Sequence, residues 1–131
     1  MWYKGGSDRE AVVARFGEIG DWDVSTVTSM KDLFAYQKHF NEDISRWDTS
    51  NVTTMSRMFQ SARSFNQPVE GWNTANVTTM FQMFYYASSF NQSVEGWNTA
   101  NVTDMEGTFV GASSFTQRPS WYNKQKGCSV M

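Results

Sequence analysis

The sequence contains few of the residues on which many catalytic and metal sites depend. Its 131 residues include one cysteine, Cys128, and one histidine, His39. A single cysteine excludes an intrachain disulfide. A single histidine, with no nucleophile placed to partner it, gives almost no support for a catalytic triad or a histidine-based metal cluster. A glycine-rich phosphate loop is also missing. We therefore predict a protein that is not an enzyme and that holds no metal or cofactor.

Long apolar runs and a strong excess of one charge are also missing. No segment approaches the roughly 18 apolar residues of a membrane span, and residues 1–20 lack the apolar core of a secretory signal. The net charge of −2 is too near neutral to suggest nucleic-acid binding. The compartment stays open between the cell surface and an intracellular or organellar complex, and the oligomeric state also stays open.

Aromatic residues and methionine are abundant instead, and they recur every 25 residues. Five apolar positions keep one register, namely Trp22, Trp47, Trp72 and Trp97, then Val27, Val52, Val77 and Val102, then Met30, Met55, Met80 and Met105, then Phe34, Phe59, Phe84 and Phe109, and finally Phe40, Phe65, Phe90 and Phe115. We divide the chain into an N-terminal segment, four repeats, and a degenerate fifth repeat with a basic tail. Their bounds are residues 1–21, then 22–46, 47–71, 72–96 and 97–120, then 121–131.

The spacing inside one repeat suggests two short elements. Val52, Met55, Phe59 and Ala62 would lie on one face of a short helix, with Ser50 or Asn51 as its N-cap. The segment Val69–Trp72 lies between turn residues and is too short for a helix, so it is predicted to be a strand. One strand and one helix cannot bury their own apolar faces, but stacked copies can.

We therefore predict an α/β repeat solenoid of four coils, with short parallel strands and short helices. Residues 9–19 would form an N-terminal cap helix, since Val12, Phe16 and Ile19 fit one helical face. A buried ladder of asparagines bonding to the neighbouring backbone would explain why Asn41, Asn66 and Asn91 recur.

The third repeat contains an ordered set of residues that resembles a known family. The set is Trp72-Asn73-Thr74-Ala75-Asn76-Val77-Thr78-Thr79-Met80, followed by Met83-Phe84, Ala87 and Ser89-Phe90-Asn91-Gln92. This pattern resembles the BspA-like leucine-rich repeat surface proteins, whose DUF285 repeat is about 25 residues long. The resemblance extends from Gly20 to Gln117. It implies a right-handed leucine-rich-repeat-like fold and a non-enzymatic role in adhesion or protein contact.

Two sequence motifs suggest covalent modification. Asn51, Asn76, Asn91 and Asn101 satisfy the pattern for N-glycosylation, although capping and ladder bonding explain the asparagines more simply. The last four residues fit the prenylation pattern at Cys128, with Lys124 and Lys126 upstream. A single lipid with basic residues would give reversible membrane contact, as would a membrane-bound partner. An unmodified cysteine is the simpler alternative.

Positions that differ between repeats offer the better indication of a binding site. The third repeat has Phe81, Tyr85 and Tyr86 at positions where the other repeats mostly have polar or small residues. Tyr36 occupies the same repeat position as Tyr86, and Val110 the same position as Tyr85. On the predicted helix, Phe81 and Tyr85 would be neighbours on one face. Clustered exposed aromatics often mark an interface, although they could instead pack on a neighbouring coil or a tail. We expect a protein-interaction module, an accessory or scaffold subunit of a larger assembly. The alternative is a surface adhesion protein.

Overall fold

The computed structural model describes residues 17–122 and shows a stack of coils held together through their backbones. Each coil corresponds to one 25-residue repeat, and coils 1 to 4 denote residues 22–46, 47–71, 72–96 and 97–120. Neighbouring coils lie in register, as three isolated parallel bridges join Ser29 to Thr54, Thr54 to Thr79 and Thr79 to Asp104. Within residues 17–122 the one helical element is the short 3-10 helix Ile19–Asp21, and no longer strand is formed.

The predicted helix in each coil is wrong, because consecutive tight turns occupy its place. We call this segment the turn ladder, and it covers residues 30–37, 55–62, 80–87 and 105–112. In coil 2 the N–H groups of Met58 and Gln60 donate three residues back, to the carbonyls of Met55 and Arg57. The intervening N–H groups of Arg57 and Phe59 instead donate to Phe81 and Met83 of coil 3, each at 2.8 Å. From Arg57 to Ala62, backbone donors that close turns therefore alternate with donors that join coils.

Backbone angles exclude an α-helix in this segment. Arg57 and Ser61 have φ of 55° and 56°, and coils 1 and 3 have positive φ at the same two registers. Right-handed helices need negative φ, so two left-handed residues four apart break any such helix. Coil 4 places glycine at both registers, Gly107 at 70° and Gly111 at 76°. Glycine adopts this conformation without steric cost.

The predicted strand is also wrong in position and in kind. Residues Val69–Trp72 form a turn in which the N–H of Trp72 donates to the carbonyl of Val69 at 3.1 Å. The parallel pairing occurs instead at Thr54 and its register equivalents. The structure is thus not the leucine-rich-repeat-like α/β solenoid of strands and helices that was predicted. Hydrogen bonds between coils satisfy backbone N–H and C=O groups, so the fold needs neither long strands nor α-helices.

Stacked aromatic rings fill the core. Within each of coils 1 to 4 two buried phenylalanines stack with nearly parallel rings, as Phe59 and Phe65 do with ring centroids 4.1 Å apart. Between coils the tryptophans are nearly parallel, with Trp72 at 6.5 Å from Trp47 and 6.4 Å from Trp97. The Trp72 indole N–H also donates to the buried backbone carbonyl of Ile44 at 3.0 Å. Stacked aromatic rings bury a large apolar surface, and each indole N–H within residues 17–122 donates to a backbone carbonyl.

The two ends of the stack differ. Trp121, although one residue early, takes the next tryptophan position, because its ring stacks 6.3 Å from Trp97 and its N–H bonds to Val94. At the other end, Leu33 is 46% exposed, whereas the same register in later coils is fully buried. A groove of about 400 Å³ beside Leu33 is lined mainly by apolar side chains of coil 1. The predicted cap helix lies largely in residues 1–16, outside the described residues.

Asparagine ladders run along the stack, but at the surface rather than in the core. The Asn41 carboxamide oxygen accepts from the N–H of Asn66 at 2.8 Å, and that of Asn66 accepts from Asn91 at 2.9 Å. Asn41 and Asn66 are exposed and Asn91 is half-buried. The predicted bonding to neighbouring backbone is confirmed, and the predicted burial is wrong.

Candidate functional site

The outward side of the turn ladder brings together the side chains that differ between coils. The repeated residues of this segment, such as Met80 and Phe84, point inward and are fully buried. The outward residues form what we call the variable face, which consists of Asp32, Ala35, Tyr36, Arg57, Gln60, Ser61, Phe81, Gln82, Tyr85, Tyr86, Val110 and Gly111. Because the same turn geometry recurs in every coil, substitutions here change the surface with little effect on the backbone.

Tyrosines dominate one register of the variable face. It reads Tyr36, Ser61, Tyr86 and Gly111 along coils 1 to 4. Tyr36 is 67% exposed and Tyr86 is 49% exposed. The Tyr86 ring lies over Gly111, since a β-carbon added there would come within 2.5 Å of it. Large and small residues thus alternate along the stack, leaving two exposed phenol groups two coils apart.

Tyr85 adds a second ring beside Tyr86. Their centroids are 4.7 Å apart with an interplanar angle of 82°, an edge-to-face arrangement. Tyr85 is half-buried, and the register that it occupies carries Ala35, Gln60 and Val110 elsewhere. Edge-to-face packing holds both rings with few accessible rotamers. Rigid tyrosines are typical of binding hot spots, because little side-chain entropy is lost on association.

Phe81 lies in a third register, next to charged groups of the neighbouring coils. It is half-buried, and the guanidinium of Arg57 lies 6.0 Å from its ring centroid. Arg57 also forms an ion pair with Asp32, at 3.0 Å between Nε and Oδ1. The cation–π contact is at the outer limit of such interactions. The predicted i, i+4 helical relation between Phe81 and Tyr85 is wrong, but both residues lie on the variable face together with Tyr86 and Tyr36. Val110, half-buried in coil 4, extends this face.

The chain matches, over residues 8–122, the family described as "Mycoplasma protein of unknown function, DUF285". The chain belongs to the DUF285 family. This confirms the resemblance in the third repeat. No curated protein and no solved structure matches the chain.

The four glycosylation motifs of this DUF285 chain differ in accessibility. Asn51, Asn76 and Asn101 are exposed, and each side-chain amide donates at 2.7 Å to a backbone carbonyl of the preceding coil. Asn91 is half-buried, and its carboxamide oxygen accepts from the N–H of Thr116 at 3.0 Å. Ladder bonding therefore accounts for all four asparagines structurally. The alternative capping role is not supported, because the one helical element of residues 17–122, Ile19–Asp21, follows none of these asparagines.

Carboxylates at one edge of the DUF285 coils show lowered pKa values. The Ser50 hydroxyl and backbone N–H both donate to Asp48, and these bonds hold the pKa of Asp48 below its ordinary range. Ser25 lowers the pKa of Asp23 in the same way. In coils 3 and 4 the register carries asparagine instead, as with Asn73, whose oxygen accepts from the N–H of Ala75. These groups close local turns, which is a structural role.

Other predicted features add no chemistry to this surface. His39 is exposed. Among residues 17–122, no three histidine, cysteine or acidic side chains meet as metal ligands would. The same residues form no helix long and apolar enough to cross a membrane. Cys128, with Lys124 and Lys126, lies outside the described residues. Arg57 was not identified as a site residue from the sequence. Its position in the repeat carries a different residue in each of coils 1 to 4, namely Asp32, Arg57, Gln82 and Gly107, and this variation was the available signal.

Proposed function

We propose that this DUF285 chain is a non-catalytic protein-interaction module, a small accessory or scaffold subunit of a larger assembly, and that the variable face is its contact surface. The observation that carries the proposal is the exposure of Tyr36 and Tyr86 at a register where coils 2 and 4 have serine and glycine. The coil needs neither ring in order to fold. An exposed aromatic cluster of this kind is a common feature of protein interfaces.

The decisive experiment replaces the aromatic residues of coil 3 on the variable face by the residues that coil 2 has at the same positions. The triple variant Phe81→Ser, Tyr85→Gln and Tyr86→Ser uses the residues that coil 2 already carries at these registers. The backbone geometry is therefore preserved, and the melting temperature should stay close to that of the parent. Glu106→Ser, an exposed change on the same segment of coil 4, is the matched control.

Affinity capture from the source cells, with quantitative mass spectrometry, measures the outcome. The parent and Glu106→Ser should retain the same set of proteins, and the triple variant should lose at least one of them by about tenfold or more, the change expected from a lost hot spot. Equal recovery by all three proteins would refute the proposal that the variable face binds the partner.

A role as a surface adhesion protein of the BspA-like type is the second candidate. Family membership and the exposure of Asn51, Asn76 and Asn101 favour it. A glycosylated amide keeps one N–H, so the ladder hydrogen bond of each asparagine could persist. Mass spectrometry of the native protein before and after glycosidase treatment tests this role. Glycan at these asparagines would select the surface candidate over an intracellular subunit, and its absence would remove this support.

A further inference from the structure

A cleft of about 500 Å³ opens between coils 1 and 2, beside the variable face. Its lining residues are Tyr36, Lys38, Ser61 and Arg63. Lys38, Arg63 and Tyr36 are exposed to solvent. The cleft thus combines two cations, the phenol ring of Tyr36 and the hydroxyl group of Ser61 on an open surface. No carboxylate lines it.

The two cations occupy the same register of adjacent coils, which is an unfavourable arrangement without a counterion. Lys38 and Arg63 are 25 residues apart, so their backbones lie about 5 Å apart, the spacing of neighbouring strands. Like charges directly opposite each other on neighbouring strands are destabilising. Coils 3 and 4 carry serine, Ser88 and Ser113, at the same register. Uncharged residues are therefore compatible with the coil at this position.

Two arginines elsewhere in the stack are compensated by carboxylates. Arg46 pairs with Asp21 at 2.5 Å, and Arg57 pairs with Asp32 at 3.0 Å, in each case one coil apart. The carboxylates of Asp23 and Asp48 do share a register, but serine donors satisfy each of them. By contrast, neither Lys38 nor Arg63 makes a side-chain hydrogen bond or an ion pair with any residue from 17 to 122.

We propose that this cleft binds an acidic segment of a partner protein, with carboxylates paired to Lys38 and Arg63 and the peptide chain lying against the Tyr36 ring. Charge complementarity selects this occupant, because a carboxylate removes the repulsion between the two cations and accepts hydrogen bonds from both. The inference rests on the proposed function, since it assigns a chemical class to the partner that the variable face contacts.

The test uses the full chain and a synthetic fluorescent peptide with four consecutive glutamates, and fluorescence anisotropy measures binding at low and high salt. The test variant is Lys38→Ser with Arg63→Ser, which gives coils 1 and 2 the residue of coils 3 and 4. Lys31→Ser with Arg118→Ser removes the same number of exposed positive charges elsewhere and is the matched control. A peptide with four serines in place of the glutamates serves as the uncharged probe.

We expect the parent and the control pair to bind the acidic peptide equally, and the test variant to bind about tenfold more weakly. High salt should weaken parental binding, because exposed ion pairs are screened. Equal loss in both double variants would show a general charge effect and overturn the cleft as a site. No binding by the parent, or equal binding of the serine peptide, would also overturn it. Loss of partner capture on changing Phe81, Tyr85 and Tyr86 is measured separately, so either proposal can fail alone.

Discussion

The inward and outward sides of the turn ladder follow opposite rules. On the inward side, Met55, Met80 and Met105 repeat without change and are fully buried. On the outward side, the register of Tyr36 and Tyr86 changes from each coil to the next, and both tyrosines are exposed. The same backbone carries both sides. Burial therefore explains why the inward residues repeat. The outward residues are not constrained by packing, so they can differ between coils and contact a partner protein.

The sharpest way to break this comparison is to truncate one residue of the buried core and one residue of the variable face. Trp72→Ala removes a ring that is 4% exposed and stacks on two other indoles. We expect a loss of about 3–5 kcal/mol in the free energy of unfolding, as for other large core truncations. Urea denaturation measures it.

Tyr36→Ser is the outward counterpart, because coil 2 has serine at this register. Its ring is 67% exposed, so the free energy of unfolding should change by less than about 0.5 kcal/mol. A Tyr36→Ser variant that loses as much stability as Trp72→Ala would contradict the separation of the two sides.

An effect smaller than that of Trp72→Ala is expected at Gly111, on the variable face. Gly111→Ala places a β-carbon against the Tyr86 ring at a φ of 76°. We expect a loss of about 1–2 kcal/mol, from the left-handed conformation together with displacement of the ring. Gly71→Ala, where no heavy atom lies within 4 Å of the added carbon, should be close to neutral.

A double-mutant cycle separates the two contributions at Gly111. In a Tyr86→Ser background the Gly111→Ala change should cost less, because the ring is gone and the conformational strain alone is left. Thermal denaturation of the four proteins gives the coupling. An identical cost in both backgrounds would show that Tyr86 does not pack over Gly111.

The smallest expected effect is on the pH dependence of stability and concerns Asp48, an exposed residue outside the core. Its pKa is lowered in the folded chain, chiefly by the Ser50 hydroxyl. A lowered folded pKa stabilises the fold above the unfolded pKa of about 4, and this stabilisation is lost as the pH falls through the folded pKa. Asp48→Asn copies Asn73 of coil 3 and should reduce the drop in melting temperature between about pH 6 and about pH 3. A drop as large as that of the parent would show that the Asp48–Ser50 bond does not contribute.

The repeat register could be predicted from the sequence, whereas the local backbone could not. Buried residues recur every 25 positions because each coil packs on the next, so Trp72 and Phe59 were correctly placed in the core. The spacing of Met55 and Phe59 resembled a helix because two successive turns also advance the chain by four residues. Nothing in that spacing reveals that Arg57 and Ser61 have positive φ, since neither residue type favours it. The hydrogen bonds between coils, which impose this conformation, are long-range.

Part of the candidate site could also be predicted from the repeat register. Disagreement between coils identified Phe81, Tyr85, Tyr86 and Tyr36, because outward positions are not constrained by packing. The pairing of Arg57 with Asp32 depends on coils lying in register, so it emerges from the stacked structure. The same is true of the juxtaposed Lys38 and Arg63.

Site-specific photo-crosslinking at one register tests the central claim most directly. A photoreactive phenylalanine analogue would replace Ala35, Gln60, Tyr85 or Val110 in turn, four positions with the same local geometry and partial burial. After irradiation in source-cell extract, we predict adducts with a partner protein from position 85 and weaker adducts from its neighbours in the adjacent coils. Equal adducts from all four positions, or none from position 85, would contradict a partner surface centred on the tyrosines of coil 3.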